Sequence, residues 1–468
     1  MFNESERNIW EWRYWGYLGF ILLYLAVPLQ TFRTSYFYYD DFNCLYLIQQ
    51  QSLASLLGHV IDPFSAFFRP LYLLVYWLQW HFFALQPLPY HITSWIIHGV
   101  NVVLVFLILK DLNISEVSAL AGTIFFAYQS VFREIFYNFA CVGEPLCASL
   151  FFLGLWLYRR RGGSVRMLIL CWTFLFFALK AKEMAVSLPV IWLLTEVILG
   201  GSWEGIRGST QELEVQNNGL GLKLRRLVEA LFLPFAYVGL YLFIKVPDMG
   251  QLVTESLPYS PTHPYYTNYS ARALISGFAW YFNAIFRTDF GPLQWCMIWV
   301  LLIAIFAWKK NRQGIFWISY IFITFLPIIG LVNRRLPYYW YIPLLGLCGI
   351  VAQFFDRVVS WAKERTHGKW ILIAEAVFVV VLCLTHFTIQ HRLTQLTMKW
   401  VYDLTEENRQ FVSGLRNLPT PPDHAILYFH SIPQYFDPIS TKAAVCVIFG
   451  RLDLDVKIGQ DLPTNAND

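Results

Sequence analysis

Charge is what this sequence has least of. Only 14% of its 468 residues are Asp, Glu, Lys or Arg, against roughly a quarter in soluble domains, which excludes an ordinary soluble globular protein. The net charge is +4 with no long basic run, too little to hold a polyanion, so no nucleic-acid partner is expected. Its eight cysteines include no Cys-x-x-Cys pair and no zinc-like spacing, which indicates neither a zinc site nor a disulfide framework. A Gly-rich phosphate loop, a Ser/His/Asp order and a His-Glu-x-x-His signature are missing too. What the chain has in excess is apolar: 57% of it is hydrophobic and 18% aromatic, with 40 Phe, 27 Tyr and 19 Trp. That composition describes an integral membrane protein whose aromatics suit interfacial belts and a deep apolar groove.

A helix crossing ~30 Å of hydrocarbon needs about 20 residues, fewer where flanking side chains snorkel. Hydropathy places spans at Tyr14–Leu29, Ile92–Leu109, Val117–Phe132, Leu146–Tyr158, Leu168–Leu179 and Met184–Leu199. Further spans fall at Leu227–Val246, Leu293–Trp308, Ile315–Leu331, Tyr338–Phe355 and Trp370–Ile389. The first of them has no small-residue cleavage site and reads as a retained anchor. Two broken apolar stretches, Ser65–Leu85 and Ala271–Phe286, are expected to lie in the interface. With the N-terminus inside, the inner segments hold 18 Lys and Arg in 76 residues and the outer ones 9 in 131, the tail left out. That asymmetry follows the positive-inside rule, and counting Ser65–Leu85 as a span would invert it. The fold expected is therefore an all-α polytopic membrane protein of about eleven transmembrane helices, N-in and C-out. Interfacial helices are expected in its first external loop, and a small α/β appendage outside.

The tail has a different texture. Leu418-Pro419-Thr420-Pro421-Pro422 closes a charged helical stretch, after which Ala425–His430 and Ala443–Phe449 read as short strands. Residues 1–390 are expected to form the membrane domain and 391–468 a small extracytoplasmic one. The inner loop Gly200–Lys223 reads as a solvated linker.

Polar residues collect on the outer face. Asp40 and Asp41 follow the first span, and two adjacent carboxylates repel, so one keeps its proton to higher pH, as a general base requires. A solvated pair capping an interfacial helix is the plainer reading. Arg69 precedes Pro70, which would start a helix; it has the shape to grip phosphate oxygens, though a snorkelling Arg looks the same. Glu134 has the chemistry to share the base role or simply to pair with Arg133. Lys180, Lys182 and Glu183 put three charges in a turn between apolar segments. Arg334 and Arg335 stand on the face where positive charge is disfavoured, and an anionic phospho-ligand would account for them. His91 and His98 share a helical face without a third metal ligand, and packing or hydrogen bonding explains them better. Cys141 and Cys147 look structural.

Taken together, carboxylates and cations gather on the face away from nucleotide pools. A reaction there needs a donor carried by the membrane. A base for an acceptor hydroxyl and cations for a phosphate leaving group would make a glycosyl-transfer site. The carboxylates also have the chemistry for a divalent ion; no metal site and no cofactor is assigned. A transporter or flippase of a lipid-linked sugar is the alternative, which would carry polar groups midway through its helices and usually internal repeats; no repeat is evident here. A third reading is a non-catalytic scaffold that would tolerate replacement of both aspartates.

The motif order resembles the GT-C class of integral-membrane glycosyltransferases, and within it the protein O-mannosyltransferase branch with its tetratricopeptide-bearing relatives. The resemblance runs from about Tyr14 to Gln353. Tyr39-Asp40-Asp41 resembles the acidic motif of the first external loop. Phe68-Arg69-Pro70-Leu71, then Tyr90-His91 and the Asn101 helix, resembles the interfacial segment and second span. Phe125-Phe126-Ala127-Tyr128 to Arg133-Glu134 resembles a segment that reads His-Pro then Thr-Glu in the family; Tyr128-Gln129 replaces His-Pro, so only Glu134 carries over. Lys182-Glu183 to Leu188-Pro189, and Arg335-Leu336-Pro337-Tyr338 to Tyr341-Ile342-Pro343, resemble two further motifs. The resemblance implies a polyprenyl-phosphate-linked hexose as donor, inversion at the sugar, and Asp40 or Asp41 as base with Glu134 beside it. It implies Arg69, Lys182, Arg334 and Arg335 at the donor phosphate, with Glu183 and His91 in support. The tetratricopeptide tail is absent, which leaves a glycan, lipid or protein acceptor open. A bacterial plasma membrane is the expected location, with the endoplasmic reticulum as the alternative.

Overall fold

The computed structural model describes residues 4–26, 35–161, 164–200, 228, 231–244, 263, 265–364 and 369–459. The far end of the first expected span and the inner loop beyond Gly200, with Arg225-Arg226, lie outside them. The chain is mostly helical with one small sheet. Each expected span falls on a helix, and five helices among the described residues are long and apolar enough to cross a membrane. These are Pro87–Asp111, Phe139–Arg160, Arg312–Ile329, Leu344–Trp361 and Ile373–Leu396. The Glu116–Ala127 and Leu188–Leu199 helices have 12 residues each. At ~1.5 Å per residue they are shorter than the hydrocarbon is thick. A tight turn of helix over Glu183–Ser187 adds to the second of these.

Small residues let the central helices approach. A Cβ on Gly349 would stand 2.1 Å from Trp317 Cε2, and one on Gly122 would stand 2.7 Å from the Cys348 carbonyl oxygen. The Leu344–Lys363 helix therefore beds directly on Arg312–Ile329 and on Glu116–Ala127, the close packing that holds helices together where no hydrophobic drive exists. A buried polar knot ties the same region. His98 Nδ1 lies 2.6 Å from Tyr341 Oη, and Asn101 Nδ2 donates to Tyr341 Oη and to the Pro145 carbonyl at 3.1 and 2.8 Å. At the far end of the Pro87–Asp111 helix, Asp111 accepts from Arg159 and Arg160 at 3.0 and 2.9 Å.

The segment after the first apolar helix folds into three short helices, Tyr39–Gln49, Leu53–Ile61 and Pro70–Phe83. Ser52 caps the second, its Oγ accepting from the Ser55 amide at 3.1 Å. Pro70 opens the third, as its sequence position suggested.

The tail departs from expectation at one element. Ala443–Phe449 is not a strand; it belongs to a helix over Pro438–Phe449. Asp437 caps that helix, with Oδ1 accepting from the Ser440 amide at 2.7 Å, and Pro438 follows at the first helical position. Gly450 stops it at φ 65°, the left-handed turn favoured by glycine. Its apolar run lacks polar alternation because Ala443 to Val447 are all buried. The second strand lies later, at Asp455–Ile458, where charged and apolar residues do alternate, and it pairs parallel with Ile426–Phe429. One helix, Lys369–Arg416, runs from the membrane into the tail and through positions 390 and 391 without interruption. The tail packs on the Tyr39–Gln49 helix. Ala443 and Ala444 join the same apolar cluster as Phe42 and Leu45, and Asn43 Nδ2 donates to Ser440 Oγ at 3.1 Å.

Candidate functional site

Two neighbouring carboxylates meet two different environments because successive helical residues point about 100° apart. Asp40 and Asp41 both lie in the first turn of the Tyr39–Gln49 helix, where negative charge suits the helix dipole. Asp41 turns inward and is fully buried. Its Oδ2 accepts from the Tyr38 amide at 2.7 Å and its Oδ1 from Tyr76 Oη at 2.5 Å. Burial pushes its carboxyl up to about 7, against the pull of those hydrogen bonds. Beside it, Tyr72 Oη and Cys44 Sγ lie 2.8 Å apart, so Asp41 closes a buried polar seam between the Tyr39–Gln49 and Pro70–Phe83 helices.

Asp40 is half-buried and feels the charges of Arg334 and Asp437. Burial holds its carboxyl above the ordinary range; Arg334 opposes this and Asp437 reinforces it. Glu134 lies in the first turn of a short helix, Arg133–Tyr137, that follows the third expected span. Burial raises it as well, and Arg133 and Arg334 both pull it down. Arg334 thus acts on two carboxyls from distant parts of the chain. Its guanidinium lies 4.8 Å from the Tyr265 ring centroid, and it forms no ion pair at contact distance among the described residues. The Tyr38 and Tyr137 rings lie tilted against each other, 5.7 Å between centroids.

The other expected cations are already engaged. Arg69 grips Glu183 through two nitrogens, Nε to Oε1 at 3.0 Å and Nη2 to Oε2 at 2.7 Å, a fork geometry worth more than a point contact. Arg69 has a left-handed backbone, φ 44°, costly for a residue with a Cβ. Lys182 is paired with the fully buried Glu144 and lies 5.0 Å from the Tyr339 ring centroid. Tyr339 is also within electrostatic reach of Arg334 and Arg69, so one aromatic residue links the three cations. The structure therefore brings Asp40, Glu134 and Arg334 together, with Arg69, Lys182 and Glu183 on the next rank.

Arg335 diverges from its neighbour: Nη1 is 3.5 Å from Ser276 Oγ. His91 is buried in the Pro87–Asp111 helix against the backbone of Phe136. Among the described residues, no three His, Cys, Asp or Glu side chains come together as a metal-binding group. Cys141 and Cys147 are free and buried. Three neighbours of the cluster were not singled out as site residues from sequence: Glu144, Asp437 and Tyr339. Glu144 had a signal, being a lone acid at the head of an apolar run. Asp437 had none, since 397 positions separate it from Asp40.

No family model matches the chain, and no curated protein matches it. Among solved structures it is similar to the Archaeoglobus fulgidus oligosaccharyltransferase, captured with a tethered acceptor peptide containing the NVT sequon. The TM-score is 0.49 and the identity 9%, over 95% of this chain and 64% of that one. The chain thus spans a little under two thirds of that protein's length, and a likeness so distant carries no argument about this chain's chemistry.

Proposed function

We propose that this integral membrane protein is a glycosyltransferase that takes a hexose from a polyprenyl-phosphate donor on the outer face of the membrane. One observation carries the reading: Asp40 and Glu134, two carboxyls raised by burial, both feel the charge of Arg334, a cation with no carboxylate at contact distance among the described residues. The order of motifs along the chain supports it. In this reading Asp40 takes the proton from an acceptor hydroxyl as that oxygen bonds to the sugar's anomeric carbon. The bond from that carbon to the phosphate oxygen breaks, with inversion, and polyprenyl phosphate leaves with the electron pair. Arg334 neutralises the charge that develops on the phosphate, and Glu134 orients the acceptor.

Asp41 is assigned a structural part, because both its oxygens are spent on Tyr38 and Tyr76. The pairs Arg69–Glu183 and Lys182–Glu144 are positioning elements that hold Tyr339 and Arg334 in place. An eleven-span, N-in topology puts all of these groups outside. The tail from residue 391 completes the wall beside Asp40 as a small outer domain. The acceptor is a glycan, lipid or protein hydroxyl.

Purified protein supplied with a synthetic polyprenyl-phosphate hexose should release polyprenyl phosphate. Asp40→Asn should slow release about 100- to 10,000-fold, the range for losing a general base, while Asp41→Asn should retain most of it. Equal activity of Asp40→Asn and wild type would sink the assignment. Binding of the donor without release in any variant would favour the transporter.

A further inference from the structure

Three cations stand within reach of Tyr339, and only Arg334 has no carboxylate at contact distance among the described residues. Arg69 is closed on Glu183 at 2.7 Å and Lys182 on the fully buried Glu144, so each spends its charge on a carboxylate. Arg334 acts on Asp40 and Glu134 from a distance. What it touches is an aromatic face: its guanidinium carbon lies over the Tyr265 ring, 4.8 Å from the centroid, inside the range of a cation–π contact. A ring attracts a cation through its quadrupole and carries no negative charge. It therefore fixes the guanidinium without neutralising it.

The ring is itself firmly placed. Residues 265–269 run beside the loop that carries Arg334: Thr267 pairs antiparallel with Leu331, the Asn268 amide donates to the Gly330 carbonyl at 2.8 Å, and Asn333 Nδ2 donates to the His263 carbonyl at 2.9 Å. A Cβ on Gly330 would stand 2.6 Å from Tyr269 Cζ, so the Tyr269 ring packs directly on that glycine. The Tyr265 amide donates to His263 Nδ1 at 3.1 Å. Ser270 then caps the Ala271–Phe286 helix, its Oγ accepting from the Ala273 amide at 3.3 Å. The segment is thus tied to a helix at one end and to the Arg334 loop along its length.

We propose that Tyr265 is a positioning residue of the donor site: its ring face holds the Arg334 guanidinium ready for the donor phosphate and keeps it from closing on Asp40 or Glu134. The inference rests on the transferase reading above. Without the ring, a long flexible side chain has to be ordered when the phosphate arrives, a cost of about two- to twelvefold in affinity.

The test is calorimetric titration of detergent-purified full-length protein with decaprenyl phosphate and with decaprenol, which lacks the phosphate. The wild type should bind the phosphate more tightly than the alcohol. Tyr265→Leu should weaken decaprenyl phosphate about two- to twelvefold and leave decaprenol unchanged, while Tyr265→Phe should keep the wild-type affinity. Phenylalanines carrying one, two and three fluorines in place of Tyr265 should weaken it stepwise, because each fluorine draws electron density from the ring face at nearly constant size; a packing role would not move in steps. In an Arg334→Gln background, Tyr265→Leu should cost nothing further. The same affinity across the fluorinated series overturns the inference, and so does an equal loss with and without Arg334. The fluorinated series decides if Tyr265→Leu fails to fold. Equal binding of decaprenyl phosphate and decaprenol by the wild type is a different result: it overturns the donor reading itself, and this inference with it.

Discussion

Replacing Asp41 separates its structural part from the chemistry assigned to its neighbour. Asp41→Ala leaves the Tyr38 amide and the Tyr76 hydroxyl buried without an acceptor. Each such orphan costs about 1–3 kcal/mol, so the variant should lose about 2–6 kcal/mol. The pH dependence is sharper. The carboxyl titrates near 3.8 when unfolded and at about 7 when folded. Between those values the folded chain keeps a proton that the unfolded chain has released. This group therefore makes stability fall as pH rises from about 4 to about 7, and leaves it flat above. Three pKa units correspond to about 4 kcal/mol. Asp41→Asn keeps one acceptor oxygen and has no proton to lose, so it should match the wild type near pH 4 and exceed it above pH 7. Thermal unfolding in detergent from pH 4 to 9 reads this directly. Parallel profiles for wild type and Asp41→Asn would refute the reasoning.

Arg334→Gln removes the cation that opposes burial at both Asp40 and Glu134. Both carboxyls should rise, moving the acid limb of the kcat/KM profile to higher pH, and kcat should drop about 100-fold or more; an unmoved limb would separate Arg334 from the base. Glu183→Ala strips Arg69 of its two-point partner and should cost about 1–3 kcal/mol, measured as earlier proteolysis of the external helices. No change in cleavage would mean the pair is idle. Gly349→Ala would put a methyl 2.1 Å from Trp317 Cε2 and should cost about 1–3 kcal/mol through overpacking; an unchanged melting temperature would contradict the close helix contact.

Much of this architecture is written in local signals. Hydropathy marks where the helices lie, and Arg69-Pro70 marks the start of an interfacial one. The pair Asp40-Asp41 marks the turn where the candidate site sits. What local signals do not contain is direction. Whether Asp40 or Asp41 points inward depends on Tyr76, on another helix, and whether Arg69 is free depends on Glu183, 114 residues later. The helix over Pro438–Phe449 reads as a strand for a related reason. Burial of its Ala443–Val447 stretch erases the polar stripe that would have shown its period. Arg334 and Arg335 look interchangeable in sequence, yet the charge of one acts on Asp40 and Glu134 while the other meets Ser276.

The uninterrupted helix from Lys369 to Arg416 has a mechanical consequence. At 48 residues and ~1.5 Å each it is a rod of about 70 Å, more than twice the thickness of the hydrocarbon it enters. Its C-terminal half touches the segment around Phe37 and Phe42 directly: Asn408 Nδ2 donates to the Phe37 carbonyl at 3.0 Å, and Phe411 packs on Phe436, which in turn packs on Phe42. A rod anchored at one end in lipid and braced at the other against the wall beside Asp40 works as a lever. A tilt of about 5° in the inner half, the ordinary response of a helix to a thicker or thinner bilayer, moves the outer half by several ångströms unless those contacts resist. Asn408 and Phe411 are therefore the contacts through which a tilt of this rod would reach the segment that carries Asp40.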